Sequence, residues 1–94
     1  MKEVTAQFNI HGVTTSQYDQ IWDDVRTAGY ANPKGLICHF GAKTADGIMI
    51  VDVWESAEDF QEFGKILMPI LAKNKIPDTE PVVLPIHYMY MRGD

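Results

Sequence analysis

The sequence has very little cysteine and no long run of apolar residues. Cys38 is the only cysteine among the 94 residues, so no internal disulfide can form. This excludes a disulfide-stapled secreted fold and favours a reducing compartment. No segment approaches the roughly 20 apolar residues of a membrane-spanning helix, and residues 1–10 lack the apolar core of a signal peptide. We therefore expect a cytoplasmic protein with no membrane partner.

Positive charge is also scarce. Eight Lys and Arg residues, scattered singly, oppose 13 Asp and Glu residues, which gives a formal net charge of -5. Nucleic acids and anionic membranes bind concentrated positive charge, so neither is an expected partner. The histidines lie far apart and lack the spacing of metal ligands. Since there is also no glycine-rich phosphate loop and no nucleophile elbow, the sequence predicts neither a metal nor a cofactor.

What the chain does contain is enough for one domain, residues 1–94, with a single core. Hydrophobic residues make up 46% and charged residues 22%, the balance of a soluble globular protein. A chain of this length buries a modest fraction of its surface, so a second subunit would add stability.

The first 30 residues predict a strand followed by a helix. Residues 3–10 alternate between apolar and polar types, which is the period of a half-buried strand. The apolar positions are Val4, Ala6, Phe8 and Ile10. Thr14–Gln17 matches a capping box. An apolar stripe at helical spacing follows it and predicts a helix over about 15–28, ended by Gly29.

The centre of the chain, from residue 36 to residue 55, predicts a hairpin around Asp46-Gly47. A two-residue loop fits at two positions: at Asp46-Gly47 it places His39 opposite Trp54, and at Ala45-Asp46 it places His39 opposite Asp52. Both give the same two faces, because alternation along a strand decides the face. One face carries Ile37, His39, Gly41, Ile48, Ile50, Asp52 and Trp54, and the other carries Leu36, Cys38, Phe40, Met49, Val51 and Val53. We expect the second, uniformly apolar set to pack under the helices. The first, mixed set is typical of a pocket or a subunit interface.

The last third of the chain predicts a helix and an edge strand. The helix is expected over 57–68, followed by a brief turn of helix at 69–74, because Pro69 lacks an N–H and clashes inside a helix. The last strand is expected over 82–91. Pro85 removes one donor from its hydrogen-bond ladder, which favours a position at a sheet edge or a bulge.

The predicted order is therefore β-α-β-β-α-β. Two crossover helices and one hairpin fit a split βαβ, ferredoxin-like α+β fold, with a four-stranded antiparallel sheet in the strand order 4-1-3-2. Both helices are expected on one face of the sheet. The other face also needs cover if it is apolar, which predicts a homodimer.

Several short motifs carry a resemblance to a known superfamily. They are Gly12-Val13-Thr14 with Gln17-Tyr18-Asp19, Pro33-Lys34-Gly35-Leu36 with His39, Gly47 with Val53-Trp54-Glu55-Ser56, Phe60 and Phe63, Met68-Pro69, and Pro85-Ile86-His87. Over nearly the whole chain, this pattern resembles small proteins of the dimeric α+β barrel superfamily, and its antibiotic biosynthesis monooxygenase-like branch in particular. The resemblance implies two ferredoxin-like protomers whose sheets pair into a barrel. It also implies activities that range from cofactor-free oxygenation to isomerisation and haem degradation.

One part of the superfamily pattern is missing. Haem-degrading members use an Asn on the first strand, a Trp on the second helix and a His further along that helix. Asn9 matches the first of these. Phe63 stands near the position of the Trp, and no His follows within 57–80. This departure argues against haem.

His39 and Asp52 are the candidate catalytic pair. Imidazole titrates near neutral pH, so His39 could act as a general base whose ring Asp52 orients. The alternative is a strand histidine that only hydrogen-bonds to a neighbour in a packed sheet. A carboxylate midway along an apolar strand is costly unless it is paired, so we expect a partner for Asp52 in either case.

Four further residues are candidate ligand contacts. Trp54 could stack on a planar substrate, or it could belong to an interface or the core. Tyr18 belongs to the helix stripe, with its hydroxyl directed towards a pocket. His87 lies on the predicted last strand, where it would contact the ligand or pack against a second subunit. Asn9 is included on the resemblance alone.

The sequence leaves two classes of function open. The first is a cofactor-independent oxygenase or isomerase that acts on a hydrophobic small molecule, aromatic or polyketide-like; the oxygenase activity is implied by the resemblance. In this hypothesis His39 is the base and Asp52 orients it. The second is a non-catalytic dimeric module that binds a small ligand or serves as a scaffold, in which these residues satisfy one another.

Overall fold

The computed structural model of the protein describes residues 2–77 and 79–93. Along these residues, strands and helices follow the expected β-α-β-β-α-β order. They are β1 (Val4–His11), α1 (Thr15–Thr27), β2 (Leu36–Lys43), β3 (Gly47–Trp54), α2 (Ala57–Lys73) and β4 (Val82–Pro85). The strands form one antiparallel sheet in the order β2-β3-β1-β4, which confirms the predicted order.

The ends of α1 are fixed by the predicted caps. The Thr14 side chain accepts from the Gln17 backbone N–H, and the Gln17 side chain accepts from the Thr14 N–H, so the capping box is complete. At the other end Gly29 adopts a positive φ of 97°. The N–H of Tyr30 then reaches the carbonyl of Val25 over 3.1 Å. Hydrogen bonds at both ends thus fix where α1 begins and ends, and its apolar stripe packs on the sheet.

The predicted break at Pro69 is wrong, because α2 runs through it from Ala57 to Lys73. Proline removes the bond from its own nitrogen to the carbonyl of Lys65. Both residues are exposed, so water can satisfy that carbonyl. Apolar side chains on both sides of Pro69, including Phe63 and Leu71, pack against the same core and hold the two halves in line.

The last strand is shorter than predicted. β4 ends at Pro85, and the final ladder bond runs from the Ile86 N–H to the Glu3 carbonyl over 3.0 Å. Its position at the edge of the sheet, beside β1, confirms the expectation drawn from Pro85. Residues 86–93 follow without regular structure and carry the exposed side chains of Tyr88 and Tyr90.

The hairpin between β2 and β3 adopts the second of the two predicted registers. Its loop is Ala45-Asp46, with the Thr44 N–H bonded to the Gly47 carbonyl over 2.9 Å. His39 therefore lies opposite Asp52. A bulge interrupts β2, because Leu36 pairs with Trp54 while Cys38 pairs with Val53 and one residue between them is left over.

The prediction of which sheet face lies under the helices is wrong. The face with His39, Asp52 and Trp54 is the one that the helices cover, and there Trp54 is 0% and Asp52 7% exposed. Apart from Leu36, which the bulge in β2 turns towards the helices, the set predicted to be buried lies on the other side, where Phe40 is 48% exposed and Cys38 is exposed as well. The mixed set can be buried because its polar atoms satisfy one another, as described below.

We call the sheet surface turned away from the helices the open face. Side chains directly opposite each other in the ladder share a face, so the register defines its members. Its larger apolar side chains are Cys38, Phe40, Met49, Val51, Val53, Val82 and Leu84.

Candidate functional site

Polar side chains form a hydrogen-bonded chain between the sheet and α1. The Tyr18 hydroxyl lies 2.6 Å from Nε2 of His39. The other ring nitrogen of His39, Nδ1, lies 2.5 Å from Oδ1 of Asp52. Trp54 donates its indole Nε1–H to Oδ2 of Asp52 over 3.2 Å. We call Tyr18, His39, Asp52 and Trp54 the site network.

The local structure explains why these four side chains meet. His39 and Asp52 are direct cross-strand partners, so their side chains project from the same face of the sheet at short distance. Trp54 is two residues after Asp52 on β3 and therefore shares that face. Tyr18 lies in the first turns of α1, on the stripe that packs on the sheet.

The site network is largely shielded from water. The side chains of His39 and Asp52 are 17% and 9% exposed. Among the described residues, no buried side-chain nitrogen or oxygen lacks a hydrogen-bond partner. Removing one member of such a buried pair typically costs about 3–5 kcal/mol, because the other is left uncompensated. Substitution of either residue alone should therefore destabilise the fold, whatever the chemistry of the network.

Aromatic rings surround the network. The Trp22 ring meets the imidazole of His39 edge-on, with 4.7 Å between ring centroids. Trp54 packs against Phe60 and Phe63 at centroid distances of 6.0 Å and 5.4 Å. Such contacts fix the orientation of the rings and exclude water from the hydrogen bonds between them.

The network separates two spaces. Inside the protein lies a partly enclosed cavity of about 60 Å³, bounded by Tyr18, Trp22, His39 and Asp52 and otherwise by apolar side chains of the sheet and both helices. Outside α1 lies an open cleft of about 490 Å³, which we call the α1 cleft. It is lined by Tyr18, Asp19, Trp22, Asp23, Arg26, Ala31 and His39. Tyr18, Trp22 and His39 thus face both spaces.

Burial changes the acidity of Tyr18. Loss of water around its hydroxyl raises the pKa of Tyr18 above the ordinary value, and the negative charges of Asp52 and Asp19 act in the same direction. A side-chain contact with Trp22 partly offsets this rise. The direction means that Tyr18 holds its proton at neutral pH.

The ring of Tyr18 lies against the backbone of Gly41 on β2. A Cβ at Gly41 would lie 2.9 Å from Cε2, 3.0 Å from Cζ and 3.1 Å from the hydroxyl oxygen of Tyr18. These distances are closer than side chains normally approach, so the site network requires glycine at this position.

The structure brings some of the predicted site residues together and not others. Tyr18, His39 and Asp52 meet at the cavity, while Trp54 lies behind them in the core and does not line it. Asn9 is exposed, and its partner in the ladder is Met49, which places it on the open face. His87 follows the end of β4 and is exposed, away from the site network.

Two residues of the site were not predicted. Trp22 is not among the candidate residues of the sequence analysis, yet it contacts His39 and lines both spaces. Its position one turn after Tyr18 on the same stripe is a sequence signal that could have identified it. Gly41 gives no such signal, because its role depends on a side chain that approaches from another element.

Within residues 2–77 and 79–93, no group of three or more His, Cys, Asp or Glu side chains could hold a metal ion. In that same part of the chain, neither helix combines the length and the apolar composition that crossing a membrane requires.

The element order, the strand order and the helix layer on one face define a ferredoxin-like α+β protomer. Solved structures share this fold over nearly their whole length. A mutant of SnoaB, a cofactor-independent oxygenase from Streptomyces nogalater, is similar with a TM-score of 0.66 at 15% identity, covering 95% of this chain and 97% of its own.

Two further structures are proteins provisionally named antibiotic biosynthesis monooxygenases. The one from Chloroflexus aurantiacus J-10-fl has a TM-score of 0.65 at 17% identity, covering 97% of this chain and 99% of its own. The one from Deinococcus radiodurans has a TM-score of 0.60 at 9% identity, covering 97% and 99%. No protein-family model and no curated protein matches the chain. The chain therefore shares the fold of proteins that are named antibiotic biosynthesis monooxygenases, which is the fold that the resemblance in its motifs predicted.

Proposed function

We propose that the protein is a cofactor-independent, monooxygenase-like enzyme that acts on a hydrophobic small molecule, with His39 as its general base. The observation that carries this proposal is the Tyr18–His39–Asp52 chain of hydrogen bonds, with contacts of 2.6 Å and 2.5 Å, at the boundary between a cavity and an open cleft. A base whose ring is oriented by a carboxylate is the arrangement that general base catalysis needs.

The chemistry of the pair follows from its charges. When His39 accepts a proton, the imidazolium ion lies beside the Asp52 carboxylate, whose attraction stabilises it in a site largely closed to water. General base catalysis of this kind typically contributes about 10²–10⁴-fold in rate. In a cofactor-independent oxygenation, the deprotonated substrate itself supplies the electrons that dioxygen takes up. The protein then has to bind, deprotonate and shield the substrate.

Of the two spaces beside the site network, the α1 cleft is the one that can hold a substrate of ordinary size. Ligand sites commonly measure about 300–1,000 Å³, which includes the α1 cleft of about 490 Å³ and excludes the cavity of about 60 Å³. A ligand in the cleft would contact Tyr18, Trp22 and His39 directly. The Trp22 ring offers a surface for the flat apolar body of an aromatic molecule.

The names of similar structures support the proposal at the level of the fold. SnoaB is named a cofactor-independent oxygenase, and the structures from Chloroflexus aurantiacus and Deinococcus radiodurans carry a monooxygenase name. At 9–17% identity these names give a direction for the choice of substrates and no assignment of residues.

A second function has its own supporting observation. Every polar atom of the site network has a partner within the protein, and the adjoining cavity is too small for a substrate. A network that only stabilises a core would look the same. In this alternative the protein is a non-catalytic dimeric module that binds a small ligand or serves as a scaffold.

The experiment that separates the two functions starts with a ligand screen by thermal shift and mass spectrometry on protein purified from its host. Hits, together with a panel of hydrophobic aromatic compounds, are then incubated with the protein and dioxygen. We expect one class of compound to be converted. His39→Gln should lower the rate by about 10²–10⁴-fold, because the amide retains an N–H for Asp52 and lacks a basic nitrogen.

The matched control is His87→Gln, the same change at an exposed histidine outside the site network. It should leave conversion unchanged. A wild-type protein that binds a compound and never converts it, with His39→Gln losing stability and nothing else, would favour the non-catalytic module.

We also propose a cytoplasmic homodimer. The open face supports the dimer, because Phe40, Val82 and Leu84 are 48%, 54% and 50% exposed on one surface of the sheet. Exposed large apolar side chains gathered on one face of a sheet are typical of an interface. The lone Cys38 supports the compartment, since it lies on that face as a free thiol.

A further inference from the structure

We propose that Tyr18 is the catalytic residue that touches the substrate: its hydroxyl oxygen takes a proton from an acidic O–H group, a phenol or an enol, while its own proton passes to His39. This inference rests on the proposed function and deepens it, because it names the substrate class and changes the residue that meets the substrate.

Both ring nitrogens of His39 already have partners. Nδ1 is bonded to Asp52 and Nε2 to the Tyr18 hydroxyl. Neither nitrogen is free to approach a substrate proton unless Tyr18 moves. Because Trp22 packs edge-on against the imidazole and Gly41 supports the Tyr18 ring, the contacts hold this arrangement in place.

The partners also determine where the protons lie. The indole of Trp54 can only donate, so Oδ2 of Asp52 accepts. An ionised Asp52 accepts at Oδ1 as well, so Nδ1 of His39 carries a proton and donates it. In the neutral imidazole Nε2 is then the acceptor, and the hydrogen bond over 2.6 Å is donated by the Tyr18 hydroxyl.

This assignment leaves the Tyr18 oxygen with a lone pair for a ligand, even when the Trp22 side chain donates to the other one. A hydroxyl has one proton to donate and two lone pairs to accept with. Its proton is committed to His39, and Tyr18 lines both the cavity and the α1 cleft. The group that a ligand in the cleft can reach with an O–H is therefore the phenol oxygen of Tyr18 and not the imidazole.

The proton transfer balances without a redox partner. The substrate O–H bond breaks, its electron pair stays on the substrate oxygen, and its proton forms a new O–H bond on Tyr18. The original O–H bond of Tyr18 breaks as Nε2 of His39 takes that proton. The products are a substrate oxyanion, a neutral Tyr18 and an imidazolium that the Asp52 carboxylate stabilises.

The raised pKa of Tyr18 is consistent with a proton relay, and it argues against a Tyr18 that is permanently ionised. Burial raises the pKa of its hydroxyl, so the resting group keeps its proton. A neutral phenol that both accepts and donates can pass a proton on while never holding a net charge in a site with little water.

The test uses 4-nitrophenol, a phenol whose ionised form is yellow, at a pH below its own pKa in water. We expect wild-type protein to bind it and to give the absorption of the phenolate. Tyr18→Phe should bind the probe with a Kd within about tenfold of wild type, a difference under 1.4 kcal/mol, and leave it protonated. Tyr90→Phe is the matched control, since Tyr90 is 76% exposed and outside the site, and it should behave as wild type.

The outcomes separate the relay from the proposed function. If Tyr18→Phe ionises the probe as fully as wild type, the relay is overturned while His39 stays the base. If wild type binds the probe and leaves it protonated, both fail. Absence of binding would overturn the phenol class.

A second measurement needs no ligand. The ¹⁵N spectrum of the His39 ring should show a protonated Nδ1 and an unprotonated Nε2 that loses its hydrogen bond in Tyr18→Phe. A protonated Nε2 in the wild-type protein at neutral pH would overturn the relay.

Discussion

At the scale of single residues, the site depends on the absence of a Cβ atom at Gly41. The Tyr18 ring occupies the place of a Cβ on Gly41, with the nearest ring carbon 2.9 Å from that position. Tyr18 is held by its hydrogen bond to His39 on the other side. The Tyr18 ring therefore has little room to move away from β2. As a result, the geometry of the proposed proton relay depends on Gly41, a residue without a functional group.

Two effects oppose each other in Gly41→Ala. Alanine normally stabilises a strand by roughly 0.5–1 kcal/mol relative to glycine, whereas overpacking costs about 1–3 kcal/mol. Because the clash involves a fixed aromatic ring, we expect overpacking to dominate. The free energy of unfolding, measured with urea, should fall by about 1–2 kcal/mol. The Tyr18 hydroxyl should also lose its hydrogen bond to His39, which the ¹⁵N chemical shift of Nε2 would report.

Gly64→Ala is the matched control for this prediction. A Cβ at Gly64, on α2, would meet nothing within 4 Å. The unfolding free energy should rise there by roughly 0.5–1 kcal/mol. A Gly41→Ala protein as stable as this control, with the Tyr18–His39 bond intact, would contradict the coupling.

Residue-scale prediction from the sequence succeeded for the pairing of the site and failed for its location. Strand alternation and a hairpin loop are local features, so the sequence predicts that His39 and Asp52 share a face and stand opposite each other in one of two registers. Which face is covered depends on Tyr18 and Trp22, which arrive from α1. Without those partners, a His and an Asp on a strand resemble surface residues, and the apolar set around Phe40 resembles a core.

At the scale of elements, α2 carries an internal proline that costs stability. Pro69 lies within the helix and is exposed. Proline inside a helix is about 3 kcal/mol less favourable than alanine. The sequence cannot show that α2 continues past it, because the packing of apolar side chains on both sides of Pro69 outweighs a local preference only in the folded protein.

Pro69→Ala should therefore stabilise the protein. We expect the free energy of unfolding to rise by roughly 1–3 kcal/mol, with a higher Tm in a thermal scan and no change in the binding of 4-nitrophenol. Gln61→Ala, another exposed change on α2, serves as the control and should stay within about 0.5 kcal/mol. Unchanged or reduced stability in Pro69→Ala would contradict this prediction. It would mean that α2 needs the restricted backbone of Pro69 in order to pack on the sheet.

At the scale of the whole molecule, the fold is the part that the sequence predicts best. Alternating strands, helix caps and turn residues determine the element order, and the rules for short crossovers leave few topologies for that order. The strand order β2-β3-β1-β4 follows from them. The inverted faces leave one consequence at this scale: the exposed face, which a partner would have to cover, is the one with Phe40, Val82 and Leu84 and not the one with His39 and Asp52.

The proposed homodimer predicts a specific response to charge on the open face. Phe40→Glu places a carboxylate among Val51, Val53 and their neighbours, where an interface would have to desolvate it. We expect wild-type protein to sediment as a dimer in analytical ultracentrifugation and Phe40→Glu as a folded monomer. Met68→Glu, a similar change at a side chain that is 49% exposed on the helix layer, should remain dimeric. A monomeric wild-type protein would refute the dimer.

The bulge in β2 has a consequence for how sequences of this kind are compared. Leu36 and His39 both turn towards the helices although they are three residues apart, because the residue between Leu36 and Cys38 is left out of the pairing. Consider an ungapped alignment of β2 with a strand that lacks the extra residue. Such an alignment can match either Leu36 or His39 to a residue on the covered face, but it cannot match both. Comparison of this strand with others therefore requires a gap at Ile37, inside a strand, where alignments ordinarily forbid one.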